Sequence, residues 1–212
     1  MVVIDRIREN PIVPVIRKAN EQNIIPIVDS LYKGGVKTIE ITAETPKVTT
    51  LIEMVVNEFA DKVLVGAGTV LDAETARAVI MAGAAFIVSP TLNTETIKFS
   101  NRYGILTISG ALTPTEILTA YEHGAGMIKV FPADVFGPKY IKSIHGPLPH
   151  IPLMVTGGIT LQNMNDYFNL GGVAVGVGSN LVNADKLQTA EDYQRLTETA
   201  SQFVNKLDEL KH

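Results

Sequence analysis

The sequence predicts a parallel α/β protein, a (β/α)8 TIM barrel with a short N-terminal helix, with residues 1–212 forming one domain. Three observations predict it. Short, β-prone apolar runs alternate with helical periodicity eight times, the pattern of strands paired in parallel through helical crossovers. No low-complexity linker or shift in composition divides the chain. Gly35-Val36, Gly83-Ala84, Gly124-Ala125 and Gly172-Val173 each precede an even-numbered strand, spaced 48, 41 and 48 residues apart, as in a barrel assembled from repeated pieces. Eight units favour closure over an open doubly wound sheet, and no G-x-G-x-x-G opens the first helix.

Pro11–Arg17 reads as the first strand, and Asn20 caps a helix that Gly34-Gly35 stops after Lys33. Thr38–Thr42 is the second strand, followed by a helix from about Pro46 to Phe59 with proline in its first turn. The third strand, Val63–Thr69, ends in small residues, and Asp72 caps the helix to Met81. Ala85–Val88 is the fourth strand, closed by Ser89-Pro90, with a helix from Asn93 to Arg102 after it. Ile105–Ser109 is the fifth, and Thr113-Pro114-Thr115-Glu116 is a capping signature for the next helix. Met127–Phe131 is the sixth strand, which Pro132 ends because it has no N–H to donate. A helix near Pro138–Ile144, a seventh strand at Leu153–Thr156 and a helix near Leu161–Leu170 follow. Val173–Val177 is the eighth strand, and the charged, periodic tail from Asp185 to Leu210 is helical.

Composition narrows the function. Hydrophobic content of 46% and charged content of 19% are those of a well-buried globule. A net charge of −4, with no basic run or aromatic-basic platform, argues against a nucleic-acid partner. No apolar run approaches the length of a membrane span, and Met1–Asn10 lacks the charged-then-apolar order of a signal peptide. The chain has no cysteine, hence no disulfide framework and no thiolate chemistry, which suits the cytoplasm. The histidines at 123, 145, 150 and 212 have no zinc-ligand spacing, so no metal is expected.

In a barrel of this kind the site lies at the C-terminal ends of the strands. Those ends carry Arg17, Glu40 with Thr42, Thr69, Ser89-Pro90, Lys129 with Phe131, Thr156-Gly157-Gly158, and Gly178-Ser179. A lysine in an inner strand is costly to keep charged, and only the neutral amine attacks a carbonyl. The plainer alternative is a stem packed on the strand with its ammonium in water. A carboxylate inside a buried strand, as Glu40 is, needs a partner or a task. The glycine-rich turns after strands 7 and 8 match the usual phosphate site of this fold, where backbone N–H groups and a helix start cradle the anion. Each turn taken alone is also consistent with a tight left-handed corner.

The motifs in combination resemble one family across Pro11–Val182: PVIR at 14–17, GGVKTIEIT at 34–42, GAGTV at 66–70, IVSP at 87–90, IKVFPAD at 128–134, TGGI at 156–159 and VGVGSNLV at 175–182. The chain is similar to the class I 2-keto-3-deoxy-6-phosphogluconate (KDPG) aldolases, also described as 2-keto-4-hydroxyglutarate (KHG) aldolases. The resemblance implies that Lys129 forms a Schiff base with the keto carbon of a small-molecule substrate and that Glu40 is the general acid/base. It implies that Arg17 and Thr69 hold the pyruvyl carboxylate, and that Thr42, Pro90, Phe131 and Thr156 line the pocket. Gly157, Gly158, Gly178 and Ser179 would take the phosphate. Members are typically homotrimers and need neither metal nor other cofactor. Some carry an arginine for the carboxylate two residues beyond the threonine of E-x-T, where this chain has Glu44; another subgroup instead has one at the end of strand 1, as Arg17 is here. The family also acts on the galactonate epimer and on unphosphorylated hydroxyglutarate. A phosphosugar isomerase or epimerase, or a non-catalytic phosphosugar-binding barrel, would keep the phosphate turns but have no need of Lys129.

Overall fold

Strands buried on both faces read as continuous apolar runs, and each of the eight runs becomes such a strand. The computed structural model describes residues 2–211. Its strands are β1 (Ile12–Ile16), β2 (Thr38–Thr42), β3 (Leu64–Gly68), β4 (Phe86–Val88), β5 (Leu106–Ala111), β6 (Met127–Val130), β7 (Leu153–Thr156) and β8 (Gly172–Val177). Each pairs in parallel with the next, and β8 returns to β1 through Ile12↔Val175 and Pro14↔Val177, so the sheet closes without an edge. The helices are α1 (Val3–Glu9), α2 (Ile24–Lys33), α3 (Val48–Phe59), α4 (Ala73–Met81), α5 (Thr94–Arg102), α6 (Pro114–Glu122), α7 (Pro138–His145), α8 (Met164–Asn169) and α9 (Ala190–Asp208).

Alternation along the strands divides the interior into two layers. Outward residues such as Ile39, Ile41, Val65, Ala67, Ile128 and Val130 pack against the helices. Inward residues Val13, Leu64, Phe86, Val88, Ile108, Met127, Met154 and Ala174 fill the lumen. Fully buried Ile7 of α1 joins that inner cluster, with Val3 and Ile4 packed on it, so the N-terminal helix plugs the end of the barrel remote from the strand C-termini.

The helix starts follow from local chemistry. Asp72 accepts from the Thr75 N–H at 2.6 Å, and these backbone bonds hold its carboxyl below the usual range. Thr113 and Glu116 form a reciprocal capping box with Pro114 in the first turn. Several boundaries differ from the sequence reading. Asn20 stands in a turn, its Oδ1 accepting from the N–H groups of Gln22 and Asn23, and α2 begins only at Ile24. Pro46 lies before α3, because Lys47 adopts a left-handed φ of +60° and the helix starts at Val48. β5 runs on to Ala111, since Gly110 and Ala111 find partners in Lys129 and Val130. The C-terminal helix starts at Ala190, where Thr189 and Asp192 form a second capping box. Of the echoed glycine turns, those at Gly35, Gly83 and Gly124 have φ of +92°, +102° and +97°, while the fourth uses Gly171 at +112° in place of Gly172.

The plug gives the first prediction. Ile7→Ala removes a fully buried side chain from the lumen floor and should cost about 2–5 kcal/mol in urea unfolding, the range for such truncations. A midpoint equal to that of the parent chain would mean that α1 does not seal the barrel.

Candidate active site

The alternation that sends Met127 inward also sends Lys129 inward, and on β2 it does the same for Thr38, Glu40 and Thr42. β2 and β6 lie opposite each other in the ring of eight strands. Lys129 and Glu40 therefore meet across the lumen, with Nζ 3.8 Å from Oε1 and side chains 4% and 0% exposed. That distance is beyond a hydrogen bond. Neither Glu40 oxygen accepts a hydrogen bond from the protein, so its lone pairs remain available to a reacting group. The Lys129 ammonium stands 5.5 Å from the centroid of the Phe131 ring, within cation–π range. Among the described residues no cluster of His, Asp or Glu could hold a metal ion, and no helix is long and apolar enough to cross a membrane.

Gly68 makes this meeting possible, a role the sequence reading did not assign to it. A Cβ there would lie 2.6 Å from Glu40 Oε1 and 2.9 Å from its carboxyl carbon. The small residues ending β3 are the signal that could have revealed it. Thr69 follows in a left-handed conformation, φ +54°, which is an outlier for a β-branched residue and costs about 1–3 kcal/mol. The Val70 N–H bonded to the Val88 carbonyl at 3.2 Å helps hold it there. Thr42 is buried, with Oγ1 3.2 Å from Oγ1 of Thr45, which also accepts from the Lys18 N–H. Thr156 is buried with an unpartnered hydroxyl beside Gly176. Pro90 is half-buried against Gly110, and Phe131 is 37% exposed at the end of β6.

The turns after β7 and β8 form the other half of the rim. Gly157 and Gly158 have φ of +108° and +63°, and Asn163 Nδ2 donates to the Gly158 carbonyl at 2.9 Å. Asn180 Nδ2 donates to the Ile159 carbonyl at 2.8 Å and ties the second turn to the first. Gly178 accepts from the N–H groups of Leu181 and Val182, and Ser179 is exposed. The helix start expected at Leu161 is displaced to Met164, and a turn in which the Thr160 carbonyl accepts from the Asn163 and Met164 N–H groups precedes it. Asp134 lies close against this turn: a Cβ on Gly158 would approach its Cβ to 2.5 Å.

Arg17 reaches outward. Its Nη1 donates to Glu44 Oε2 at 3.0 Å, with the two side chains 52% and 61% exposed. The same arginine shares with Ser179, Val182 and Asp185 a cleft of about 200 Å³ between the ends of β1 and β8. A wider surface cleft, bordered by Lys18, Asn20, Glu21, Pro46 and Lys47, lies outside the lumen. Its lysines are committed to Asp185 and Glu21, at 2.9 and 2.6 Å, and it contains neither Lys129 nor Glu40.

Comparison with known proteins agrees with this fold. The family model described as "KDPG and KHG aldolase" matches residues 3–199. The chain is 39% identical to the 2-dehydro-3-deoxy-phosphogluconate aldolase of Pseudomonas aeruginosa, over 76% of this chain and 73% of that one. It is 32% identical to the 2-dehydro-3-deoxy-6-phosphogalactonate aldolase of Escherichia coli K12, over 92% and 93% of the two chains. The KDPG aldolase of Legionella pneumophila, solved with pyruvate captured as a covalent carbinolamine, superposes with a TM-score of 0.84 at 29% identity, over 91% of this chain and 93% of that one. The match runs through every strand of the barrel and through the rim that holds the buried pair, and the chain belongs to the KDPG and KHG aldolase family of carbon–carbon lyases.

Proposed function

We propose that this aldolase works through a Schiff base on Lys129 and cleaves 2-keto-3-deoxy-6-phosphogluconate to pyruvate and glyceraldehyde 3-phosphate. The observation that carries the proposal is the buried Lys129–Glu40 pair across the lumen. The lysine passes a proton to Glu40, directly or through one water. The neutral amine attacks the C2 ketone, a C–N bond forms, and Glu40 returns the proton as water leaves the carbinolamine, giving a protonated imine. Glu40, directly or through one water, takes the C4 hydroxyl proton. The C3–C4 bond then breaks, its electron pair passes to the imine as an enamine, and the aldehyde departs. Glu40 returns the proton to C3, and hydrolysis of the new imine frees pyruvate and the lysine. This cycle calls on no metal or organic cofactor.

Arg17 and Thr69 hold the pyruvyl carboxylate in this proposal, and Thr42, Pro90, Phe131 and Thr156 line the pocket. Gly157, Gly158, Gly178 and Ser179 take the phosphate. The same site would cleave 2-keto-4-hydroxyglutarate to pyruvate and glyoxylate. Similarity to the E. coli phosphogalactonate aldolase supports the C4-epimeric substrate as a second reading, which pyruvate release from the two epimers side by side would decide. We read the functional unit as one domain in a cytoplasmic homotrimer. Exposed Val135 and Phe136, the latter stacked on Tyr140 at 5.0 Å, support burial against another copy.

Borohydride added with pyruvate should leave one reduced adduct per chain, on Lys129, with chelator present or absent. Modification of Lys139 or Lys142 instead would sink the assignment. Glu40→Gln keeps the shape but removes the base, and turnover should fall on the order of 10²–10⁴-fold. Deuterium exchange into the pyruvate methyl group should slow in parallel, whereas exchange at the parent rate would leave Glu40 a structural acid. Ser179→Asp should impair cleavage of the phosphorylated substrate far more than that of 2-keto-4-hydroxyglutarate. Equal losses on the two would remove the phosphate role from these turns.

A further inference from the structure

Arg17 continues β1 with the parity of Val13 and Val15, the residues of that strand that alternate toward the lumen. The register Val15↔Glu40 sets residue 17 beside Thr42, one layer above the carboxylate of the buried pair. Its guanidinium is nonetheless held at 3.0 Å by Glu44, which lies just beyond Thr42 on the β2–α3 loop. Nearby cations give Glu44 no other outlet, because Lys18 is bound to Asp185 and Lys47 to Glu21. A glutamate carboxylate and the carboxylate of a 2-keto acid are the same planar anion, and they compete for the same donor fork.

We propose that Glu44 is an internal competitor for the carboxylate-recognising arginine: in the empty site it occupies Arg17, and 2-keto acid binding exchanges one carboxylate for another. The inference rests on the proposed role of Arg17 as the carboxylate's cation. Both members of the pair are more than half exposed, so the contact is weak enough to exchange, and its removal shifts an equilibrium by roughly two- to fivefold. Glu44 is thus a specificity-determining residue that touches no reacting atom. It raises the concentration at which a keto acid binds and has no such effect on a ketone that lacks the carboxylate.

Borohydride trapping across a range of pyruvate concentrations tests this on the full chain, with the parent, Glu44→Gln, Arg17→Ala and the double variant. Both positions are exposed, so these variants keep the core intact. Glu44→Gln should lower half-saturating pyruvate by roughly two- to fivefold. Arg17→Ala should raise it by roughly tenfold or more, as expected for loss of a charge-assisted contact. In the Arg17→Ala background, Glu44→Gln should change nothing, and trapping of hydroxyacetone should be indifferent to Glu44→Gln. If Arg17→Ala weakens pyruvate but Glu44→Gln leaves it unchanged or weakens it too, Glu44 is a strut and the competition is overturned. If Arg17→Ala leaves pyruvate binding at the parent value, the role of Arg17 itself is what has failed.

Discussion

A lysine and a glutamate buried together inside a strand-lined lumen are the constraint on which the rest of this structure depends. Desolvating either charge alone would be costly, and an unmatched buried charge is among the most destabilising features a fold can contain. Each is tolerable only opposite the other, and that fixes which faces of β2 and β6 turn inward. A register slip of one residue on either strand would send its charged group into the apolar layer under the helices. Glycine at 68 then follows as a requirement, because the carboxylate occupies the volume that a side chain there would need.

Legibility in the sequence tracked the range of the forces involved. The eight strands were readable because strands buried on both faces leave uninterrupted apolar runs, and β2 agreed to the residue. Lys129 and Glu40 were readable as misfits, since each is a charged residue within such a run. Helix starts were less legible where several polar residues competed for the same backbone donors. Asn20 makes a turn four residues before the start of α2, and Lys47 takes a left-handed conformation that keeps Pro46 out of α3. The Thr189–Asp192 box was visible in principle, but the charged periodicity upstream of it concealed the start of α9.

Contacts made by long side chains on the rim were the part that the sequence withheld. Arg17 and Glu44 lie just beyond the ends of neighbouring strands, and the β1–β2 register together with the turn after β2 brings them to 3.0 Å. The closeness of Asp134 to the glycine turn after β7 is likewise a product of neighbouring loops, although the residue ends the IKVFPAD motif. Strand alternation predicts which way a side chain leaves the backbone. It does not predict which partner a flexible four-carbon or guanidinium arm will choose among several within reach.

The helix that closes the floor of the barrel has a consequence for traffic. With Ile7 seated among Phe86, Met127 and Met154, the tube is filled with side chains below Lys129, and molecules pass only through the rim of strand ends. In the proposed cycle the three-carbon fragment is tethered to Lys129, deep in that tube, while the aldehyde fragment lies above it toward the glycine turns. The upper fragment must leave before the lower one can. Order of departure would then be a matter of plumbing: a single doorway, with the last occupant in the queue fastened to the wall.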